Sequence, residues 1–383
     1  MALHFTKEEF QKRKVNILNS MKEHKLDALL MFRQESMYWL TGYDTFGYVF
    51  FQTLILDQIG NMILLTRAPD FRQAQNTSNI ENIRIWVDRD KSNPTDDLKI
   101  ILNELNLKGK KIGVEYEAYG LTGRNALRLN KSLENYCEVE DHSELITKHR
   151  VIKSENEIIY VKKAAELADK ALDKAWKYTK AGASEAKILA EMQKVIFEGG
   201  GDYPANEFII GSGHNALLCR YQAEKRSLST TDQLSIEWAG TFKHYHSAMF
   251  RTIPIGKTNP KHTKMHEACV EALINCEKNL IPGKTAGNVF DIHAKTFDDL
   301  GYNKSRMNAC GYSLGSTFSP NWMDWPMLYT GNPYIIKPGN IFFMHMILMD
   351  SDNNLAMNLG ETYLVTENGN ERLGKQKLDL VTL

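Results

Sequence analysis

The chain has 383 residues, which is enough for two domains. Hydrophobic residues make up 43% and charged residues 25%, and 47 basic side chains balance 47 acidic ones. This zero net charge argues against nucleic-acid and anionic-membrane partners, which usually require a basic excess. No apolar run approaches the roughly 18 residues of a membrane helix, and the charged first residues lack a signal-peptide core. We therefore expect a cytoplasmic protein.

Helix and strand patterns alternate through residues 1–150. Such alternation predicts an α/β domain in which helices cover a sheet. The predicted segments are an amphipathic helix at 7–25, a buried strand at 26–32, a short helix and turn at 38–44, two strands joined near Gly60 within 49–66, and a strand at 107–117.

The composition changes near residue 150. Ser154 and Glu157 stand at capping-box spacing before a helical pattern that ends near Gly182. A second helix is predicted from Ser184 to about Phe197, and later segments are rich in strand patterns and glycine. Residues 151–383 therefore form a second domain with a mixed sheet and covering helices, and this domain holds most of the unusual residues.

The five cysteines show no CxxC spacing, so the sequence predicts neither a zinc knuckle nor a disulfide framework. We expect most of them to be buried thiols. They are Cys137, Cys219, Cys269, Cys276 and Cys310.

The segment "EWAGTFKHYHSAMFRT", residues 237–252, reads as a hairpin. Gly240 and Thr241 are the predicted turn residues, because aromatic and β-branched residues flank them. Strand alternation would place His244, His246 and Ala248 on one face. The partner strand would bring Glu237 toward that face, where it could contribute to a metal site, a nucleophile site or a dimer contact.

Seven segments in order resemble one superfamily, and together they span nearly the whole chain. This is the pita-bread family of Xaa-Pro dipeptidases, methionine aminopeptidases and creatinases. The resemblance implies an α/β N-terminal domain, an α+β pita-bread catalytic domain and a homodimer. The segments are "YWLTGYD", "VIKSENEI", "IIGSGHNALL", the hairpin, "IPGKTAGNVFDIH", "KPGNIFFMHMIL" and "GETYLVTENGNERL".

The resemblance also tests for metal binding, because peptidases of the family hold two divalent ions with two Asp, one His and two Glu. Matching the motifs places Ala248 and Tyr312 at two of these positions, and neither is a suitable ligand for such ions. The two-metal centre is therefore not expected, and no cofactor is predicted. The five matched positions are Glu237, Ala248, Tyr312, His345 and Glu361.

The metal-free branch of the superfamily contains creatinases and ectoine hydrolases, and the chain is more similar to the second group. The similarity includes "GGDYPA", "GYSLG" followed by "SPNW", and the closing "GETYLVTE". The resemblance implies that Glu237 is the nucleophile on a cyclic amidine carbon. Most of that group has a His after "SGxN", whereas this chain has Arg220 nearest to that position. The Arg fork suits a substrate carboxylate.

The residues themselves lead to specific roles. Trp238 and the small residues after Glu237 predict an enclosed pocket, which would raise the pKa of the carboxyl. His345 lies in an apolar strand, and we expect Glu361 to orient its ring and keep it basic. Tyr312 could donate a hydrogen bond to developing negative charge. Of the hairpin histidines, His246 is favoured for catalysis. Each residue could instead be structural.

The segment "SPNWMDWPM", residues 319–327, is predicted to be a loop. Trp322 and Trp325 flank Asp324, and aromatic faces with a carboxylate suit a small cationic or zwitterionic ligand. A hydrophobic lid or dimer contact is the alternative. The predicted substrate-binding residues are Arg220, His244, Trp322, Asp324 and Trp325.

Three functions follow from these patterns. The first is a metal-independent hydrolase that cleaves a C–N bond of a small zwitterionic or cyclic amidine or amide compound. The second is a one-metal Xaa-Pro dipeptidase or sulfoniopropionate-type lyase, since Glu237, His345 and Glu361 could supply three ligands. The third is a non-catalytic binding protein on the same scaffold.

Overall fold

A computed structural model describes residues 3–223 and 226–383. The chain divides into two compact units, Met1–Arg150 and Val151–Leu383. Within the described ranges, no helix has both the length and the apolar character needed to cross a membrane.

The first unit contains a six-stranded sheet with the strand order β4-β3-β2-β1-β5-β6. Its strands are β1 (Ala28–Met31), β2 (Thr53–Asp57), β3 (Met62–Arg67), β4 (Asn82–Trp86), β5 (Lys111–Val114) and β6 (Glu138–Asp141). Its helices are α1 (Lys7–Glu23), α2 (Gln34–Thr41), α3 (Ala68–Thr77), α4 (Pro94–Glu104), α5 (Gly123–Leu133) and α6 (Leu145–Arg150), with a 3-10 turn at Gly47–Val49.

The central strands of this sheet are buried on both faces, as their continuous apolar sequences predict. Helix α2 begins four residues before the predicted segment and ends at Gly42, whose φ of 84° lies in the left-handed region that favours glycine. The predicted α/β character of this unit is confirmed.

The second unit is built on a sheet with the strand order β11-β10-β12-β13-β9-β8-β7, and β14 pairs with β13. Its strands are β7 (Ile209–Ser212), β8 (Asp232–Phe242), β9 (Tyr245–Ile255), β10 (Gly311–Ser313), β11 (Asp324–Met327), β12 (Ile341–Asp350), β13 (Leu355–Thr366) and β14 (Gly369–Arg372). Its helices are α7 (Glu155–Tyr178), α8 (Glu185–Glu198), α9 (Pro260–Asn279) and α10 (Ala286–Asp299), with a 3-10 turn at Gly213–Leu217.

Neighbouring strands of this sheet run antiparallel, and helices pack against one of its faces. Side chains of α9 and α10 form a core with even-numbered residues of β12, such as Met344 and Met346. This curled antiparallel sheet with covering helices confirms the predicted α+β pita-bread unit.

Helix α7 is fixed at its start by the capping box that the sequence predicts, since Ser154 and Glu157 bond each other's backbone amides. The helix then packs against the hairpin of β8 and β9. The indole of Trp238 donates a hydrogen bond to the Ala168 carbonyl at 3.0 Å. A Cβ on Gly240 would stand 1.9 Å from the Ala164 carbonyl oxygen. Gly240 is therefore required for close packing of this helix.

The predicted turn at Gly240 and Thr241 is wrong. Both residues belong to β8, and the turn consists of Lys243 and His244, whose φ angles are 50° and 63°. Two successive residues with positive φ match the tight hairpin turn that follows the natural twist of the strands. His244 therefore does not lie on a strand with His246, as the alternation had predicted.

The loop predicted at 319–327 is partly wrong. Its second half forms β11, which pairs with β10 at the edge of the sheet. Only the first half is irregular, and it carries Trp322, whose side chain is buried.

Candidate functional site

The site-bearing face of the sheet is the one turned away from α9 and α10. Directly opposed residues of an antiparallel pair share a face. The pairs Glu237–Phe250, Gly360–Phe250 and His345–Gly360 therefore place all four residues on this face. Tyr312 joins them, because it is opposite Phe343 on the neighbouring strand.

Glu237 is partly buried in the middle of β8. The Tyr312 hydroxyl donates a hydrogen bond to its Oε1 at 3.2 Å, and no second hydrogen bond from residues 3–223 or 226–383 reaches the carboxylate. Burial raises the pKa of Glu237 to about 7, although the Tyr312 bond and the charge of Arg220 lower it. A carboxyl near neutrality with one uncommitted oxygen can act as a base or a nucleophile.

Tyr312 is buried and is itself held by Trp322, whose Nε1 donates to the Tyr312 hydroxyl at 2.9 Å. Because an indole N–H can only donate, the hydroxyl accepts this bond and directs its own proton to Glu237. Burial and the nearby Glu237 charge raise the pKa of Tyr312 well above its usual value. Tyr312 is thus a neutral donor.

His345 lies on the same face, with its ring 5.7 Å from that of Tyr312 and 5.6 Å from that of Phe343 between centroids. Its Nδ1 is buried and has no hydrogen-bond partner within the described part of the chain. Burial lowers the pKa of His345 to about 4, and the charge of Arg220 acts in the same direction. The imidazole is therefore neutral at pH 7.

The expected pairing of His345 with Glu361 is wrong. Glu361 is opposite Met344, so it lies on the helix-covered face, and Gly360 is the residue opposite His345. The fully buried Glu361 instead forms an ion pair with Arg251, which also donates to the Gly360 carbonyl at 2.9 Å. This pair joins β9 to β13 behind the site.

Arg220 is exposed, and within the described residues it forms no ion pair or hydrogen bond. Burial has the largest effect on the pKa values of Glu237 and His345, and the positive charge of Arg220 lowers both. The guanidinium therefore lies close enough to act on the two groups. The neighbouring Cys219 is partly buried, and burial together with the Glu237 charge raises the pKa of its thiol. These two residues approach the site from the segment after β7.

The hairpin histidines are both held by structural contacts. His246 is fully buried, and both ring nitrogens have partners in Ala205 and Thr317. Burial lowers its pKa to about 3. His244 stacks on Phe318 at 4.2 Å between ring centroids, beside the turn. The structure therefore does not bring either imidazole into contact with Glu237.

Two of the predicted ligand-binding residues lie outside the group around Glu237. Asp324 is opposite Ser313 on β10, and its Oδ2 and the Lys153 ammonium both lie within 3.5 Å of the point where a Cβ on Gly315 would stand. The Trp325 ring packs edge-to-face on Tyr334, with 5.0 Å between the ring centroids.

The two metal ions that the resemblance implies do not fit the residues present. Of the matched positions, Ala248 has no donor atom, Glu361 lies on the helix-covered face so that Gly360 is the residue of β13 on the site face, and Tyr312 is engaged with Glu237. A Cβ on Gly360 would stand 2.6 Å from Phe343 Cζ, so aromatic rings occupy the space of a ligand. Across the described ranges, no group of three His, Cys, Asp or Glu side chains is arranged to hold a metal ion.

Sequence reasoning missed four residues that shape this site. Phe250 and Phe343 form an apolar floor between Glu237 and His345, and a buried aromatic residue in a strand gives no functional signal in a single sequence. Thr317 and Asn206 hold the segment around Trp322 through hydrogen bonds to its backbone. Such contacts join distant parts of the chain and leave no local pattern.

Comparisons with known proteins agree with this architecture. Residues 160–367 match the family described as Metallopeptidase family M24, and residues 13–152 match the Creatinase/Prolidase N-terminal domain. An ectoine hydrolase from Halomonas elongata is 26% identical over 97% of this chain and 97% of its own length. An Xaa-Pro dipeptidase from Pyrococcus horikoshii is 24% identical over 95% of this chain and 97% of its own.

Among solved structures, a prolidase from Thermococcus sibiricus superimposes with a TM-score of 0.87. It is 20% identical, and the match covers 98% of this chain and 99% of that chain. At this identity the likeness establishes the shared fold alone.

Proposed function

Because the chain belongs to metallopeptidase family M24 and is a hydrolase of that family, we propose that it cleaves a C–N bond of a small zwitterionic or cyclic amidine or amide compound without a metal ion. Glu237 is the nucleophile or general base. The observation that carries this proposal is the state of Glu237, which has one oxygen bound by Tyr312 and the other uncommitted, in surroundings that raise its pKa to about 7.

In the nucleophilic route, the free carboxylate oxygen of Glu237 forms a bond to the amidine or amide carbon. The C–N bonding electron pair passes to nitrogen, which takes a proton from water and leaves as an amine. The carbon then remains bound to Glu237 as a mixed anhydride when the substrate is an amide, or as an acyl imidate when it is an amidine. Water then hydrolyses this anhydride or imidate and restores the carboxylate. In the general-base route, Glu237 takes the proton of a water molecule that attacks the same carbon, the C–N electron pair passes to nitrogen, and Glu237 returns the proton to the leaving nitrogen. Both routes require ionised Glu237, so the rate rises with pH through about 7.

The other groups near Glu237 support a small polar substrate with an apolar body. Arg220 supplies a fork for a carboxylate. Phe250 and Phe343 offer an apolar surface between Glu237 and His345. His345, neutral at pH 7, can exchange hydrogen bonds with the substrate through its ring nitrogens. The similarity to an ectoine hydrolase supports this substrate class, and we propose that the protein acts in the cytoplasm as a homodimer.

The similarity to an Xaa-Pro dipeptidase favours a second candidate, a one-metal peptidase. Its ligand set, like that of the lyase alternative, depends on Glu237, His345 and Glu361 sharing one site. Since Glu361 lies on the other face of the sheet, only two of these side chains remain together. Three protein ligands are the usual minimum for a catalytic zinc, so this candidate has less support.

The test is a substrate screen on metal-loaded and chelator-treated protein, with cyclic amidines, guanidino acids, betaines and Xaa-Pro dipeptides. We expect turnover of an amidine or amide by the chelator-treated protein. Glu237→Gln should lower kcat by about 1,000-fold or more, whereas Glu371→Gln, on a partly exposed carboxylate paired with Lys162, should not.

Three results would contradict the proposal. One equivalent of tightly bound metal, lost together with activity on chelation, would favour the one-metal peptidase. Activity confined to Xaa-Pro dipeptides would do the same. Ligand binding without turnover, unchanged in Glu237→Gln, would favour the non-catalytic binding protein.

A further inference from the structure

His246 has no free nitrogen with which to move a substrate proton. The Ala205 amide donates to its Nε2 at 2.9 Å, and its Nδ1 lies 3.2 Å from Thr317 Oγ1. An amide N–H can only donate, so Nε2 is the unprotonated nitrogen and Nδ1 carries the proton. The ring is therefore a fixed neutral tautomer that donates to Thr317.

Thr317, which is held by His246, in turn contacts the backbone of Trp322. Its hydroxyl donates to the Trp322 carbonyl at 3.4 Å, while the Trp322 amide donates to Asn206 Oδ1 at 3.2 Å. The backbone of Trp322 is thus held at both its amide and its carbonyl. Its side chain is only 1% exposed, so the ring has little freedom to move.

The remaining bonds lead to the reacting group. Trp322 Nε1 donates to the Tyr312 hydroxyl, and that hydroxyl donates to Glu237 Oε1. The sequence of contacts from His246 through Thr317, Trp322 and Tyr312 to Glu237 is continuous, and each side-chain donor in it faces toward Glu237. We call this set the donor chain.

We propose that His246 is a positioning residue, which fixes Glu237 through the donor chain and does not itself exchange protons with the substrate. This deepens the proposed function and rests on it, because Glu237 is the reacting group there. A hydrogen bond to a charged group is strong only when its distance and angle are held near the optimum. Loosening Trp322 would therefore weaken the Tyr312 bond to Glu237.

The experiment labels the six tryptophans with 5-fluorotryptophan and follows the Trp322 signal by fluorine NMR. Trp322→Phe assigns that signal. Thr317→Val removes the hydroxyl at nearly constant volume, and Thr317→Ser restores it. His246→Gln keeps an acceptor near Ala205, whereas His246→Asn keeps a donor near Thr317. Thr241→Val is the matched control, because the buried Thr241 hydroxyl has no partner within the described residues.

We expect Thr317→Val and His246→Gln to move the Trp322 signal and to lower kcat about 10-fold, with KM within about twofold. Thr317→Ser and His246→Asn should retain most of the normal signal and rate. Glu237→Ala should move the same signal from the other end of the donor chain. Thr241→Val should change neither readout.

The proposal is overturned if folded Thr317→Val and His246→Gln leave the Trp322 signal unchanged, or if the signal moves and kcat does not. If the normal protein turns over none of the screened compounds, the proposed function fails by itself. The fluorine signals of the His246 and Glu237 variants then still decide whether the donor chain couples these two residues.

Discussion

At the scale of a single residue, the raised pKa of Glu237 affects both its reactivity and the stability of the fold. Its pKa is about 7 in the folded protein, against an ordinary value of 4.5. The folded state therefore holds the proton more tightly than the unfolded chain. The contribution of Glu237 to stability is fully present below about pH 4.5 and is lost as pH rises through about 7.

This linkage predicts that Glu237→Gln stabilises the protein in alkaline buffer. The amide cannot ionise, so the variant avoids the cost of a buried charge. We expect the free energy of unfolding to exceed that of the normal protein by up to about 3 kcal/mol at pH 8 and by little at pH 4.5. Urea denaturation at both pH values measures this difference.

The comparison must be between variants, because His345 acts in the opposite direction over part of the same range. Its folded pKa of about 4 lies below its ordinary 6.5, so its contribution is lost as pH falls. A Glu237→Gln difference that is equal at pH 4.5 and pH 8 would contradict the raised pKa of Glu237. Glu371→Gln serves again as the control, because its carboxylate is partly exposed and paired with Lys162.

Glu361 provides a second prediction about a single side chain. It is fully buried against Arg251, and its Oε2 has no partner within the described ranges. Glu361→Gln leaves the Arg251 charge uncompensated, so we expect a loss of about 3 kcal/mol in the free energy of unfolding. Glu371→Gln should cost less than about 1 kcal/mol. Equal losses in urea denaturation would show that the buried ion pair contributes no more to the free energy of unfolding than the surface pair.

Glu237 and Glu361 show why a prediction for a single residue succeeds at one position and fails at another. The residues that follow Glu237 predicted that its carboxyl is enclosed and has a raised pKa, because enclosure and the pKa shift both follow from local apolar neighbours. The face of Glu361 depended on its register. A one-residue difference moves a side chain to the opposite face of a sheet, and residue type alone does not fix that register.

At the scale of elements, the packing of α7 against the hairpin depends on Gly240. A Cβ there would lie 1.9 Å from the Ala164 carbonyl oxygen and 2.6 Å from the Ala168 nitrogen. Backbone atoms of a helix cannot yield as a flexible side chain can. We expect Gly240→Ala to lower the free energy of unfolding by more than about 3 kcal/mol, measured by urea denaturation.

Gly123 is the matched control for this change. It begins α5, and a Cβ there would meet nothing within 4 Å. Alanine is a better helix residue than glycine by up to about 1 kcal/mol, so Gly123→Ala should be neutral or slightly stabilising. If Gly240→Ala were as stable as Gly123→Ala, the close approach of α7 would be refuted.

Elements with local signals are predictable from this sequence, and those set by distant contacts are not. The capping box at Ser154 follows from two residues three apart. The position of the hairpin turn does not follow from a local pattern, because Gly240 is needed for the close approach of a helix some seventy residues earlier and not for a turn. Lys243 and His244 adopt positive φ although neither is a favoured turn residue.

At the scale of the whole molecule, the two units are consistent with the alternation in the first half and the glycine-rich strand patterns in the second. The order of strands within the second sheet is a different matter. Strand β13 lies between β12 and β9, which are separated by two helices and two strands in the chain. Only this long-range pairing brings Gly360 beside Phe250 and His345, so the composition of the site could not be read from local patterns.

The apolar floor formed by Phe250 and Phe343 also limits which substitutions Gly360 can accept. A carboxylate side chain at position 360 would place a Cβ 2.6 Å from Phe343 Cζ, so Phe343 would have to move or be replaced by a smaller residue. Introducing the carboxylate first would overpack the floor, and shrinking Phe343 first would open a cavity; either step costs about 1–5 kcal/mol. Each intermediate would be less stable than its parent and would still lack a carboxylate at Ala248. A carboxylate ligand at position 360 thus requires coupled substitutions, because each single step toward it lowers stability.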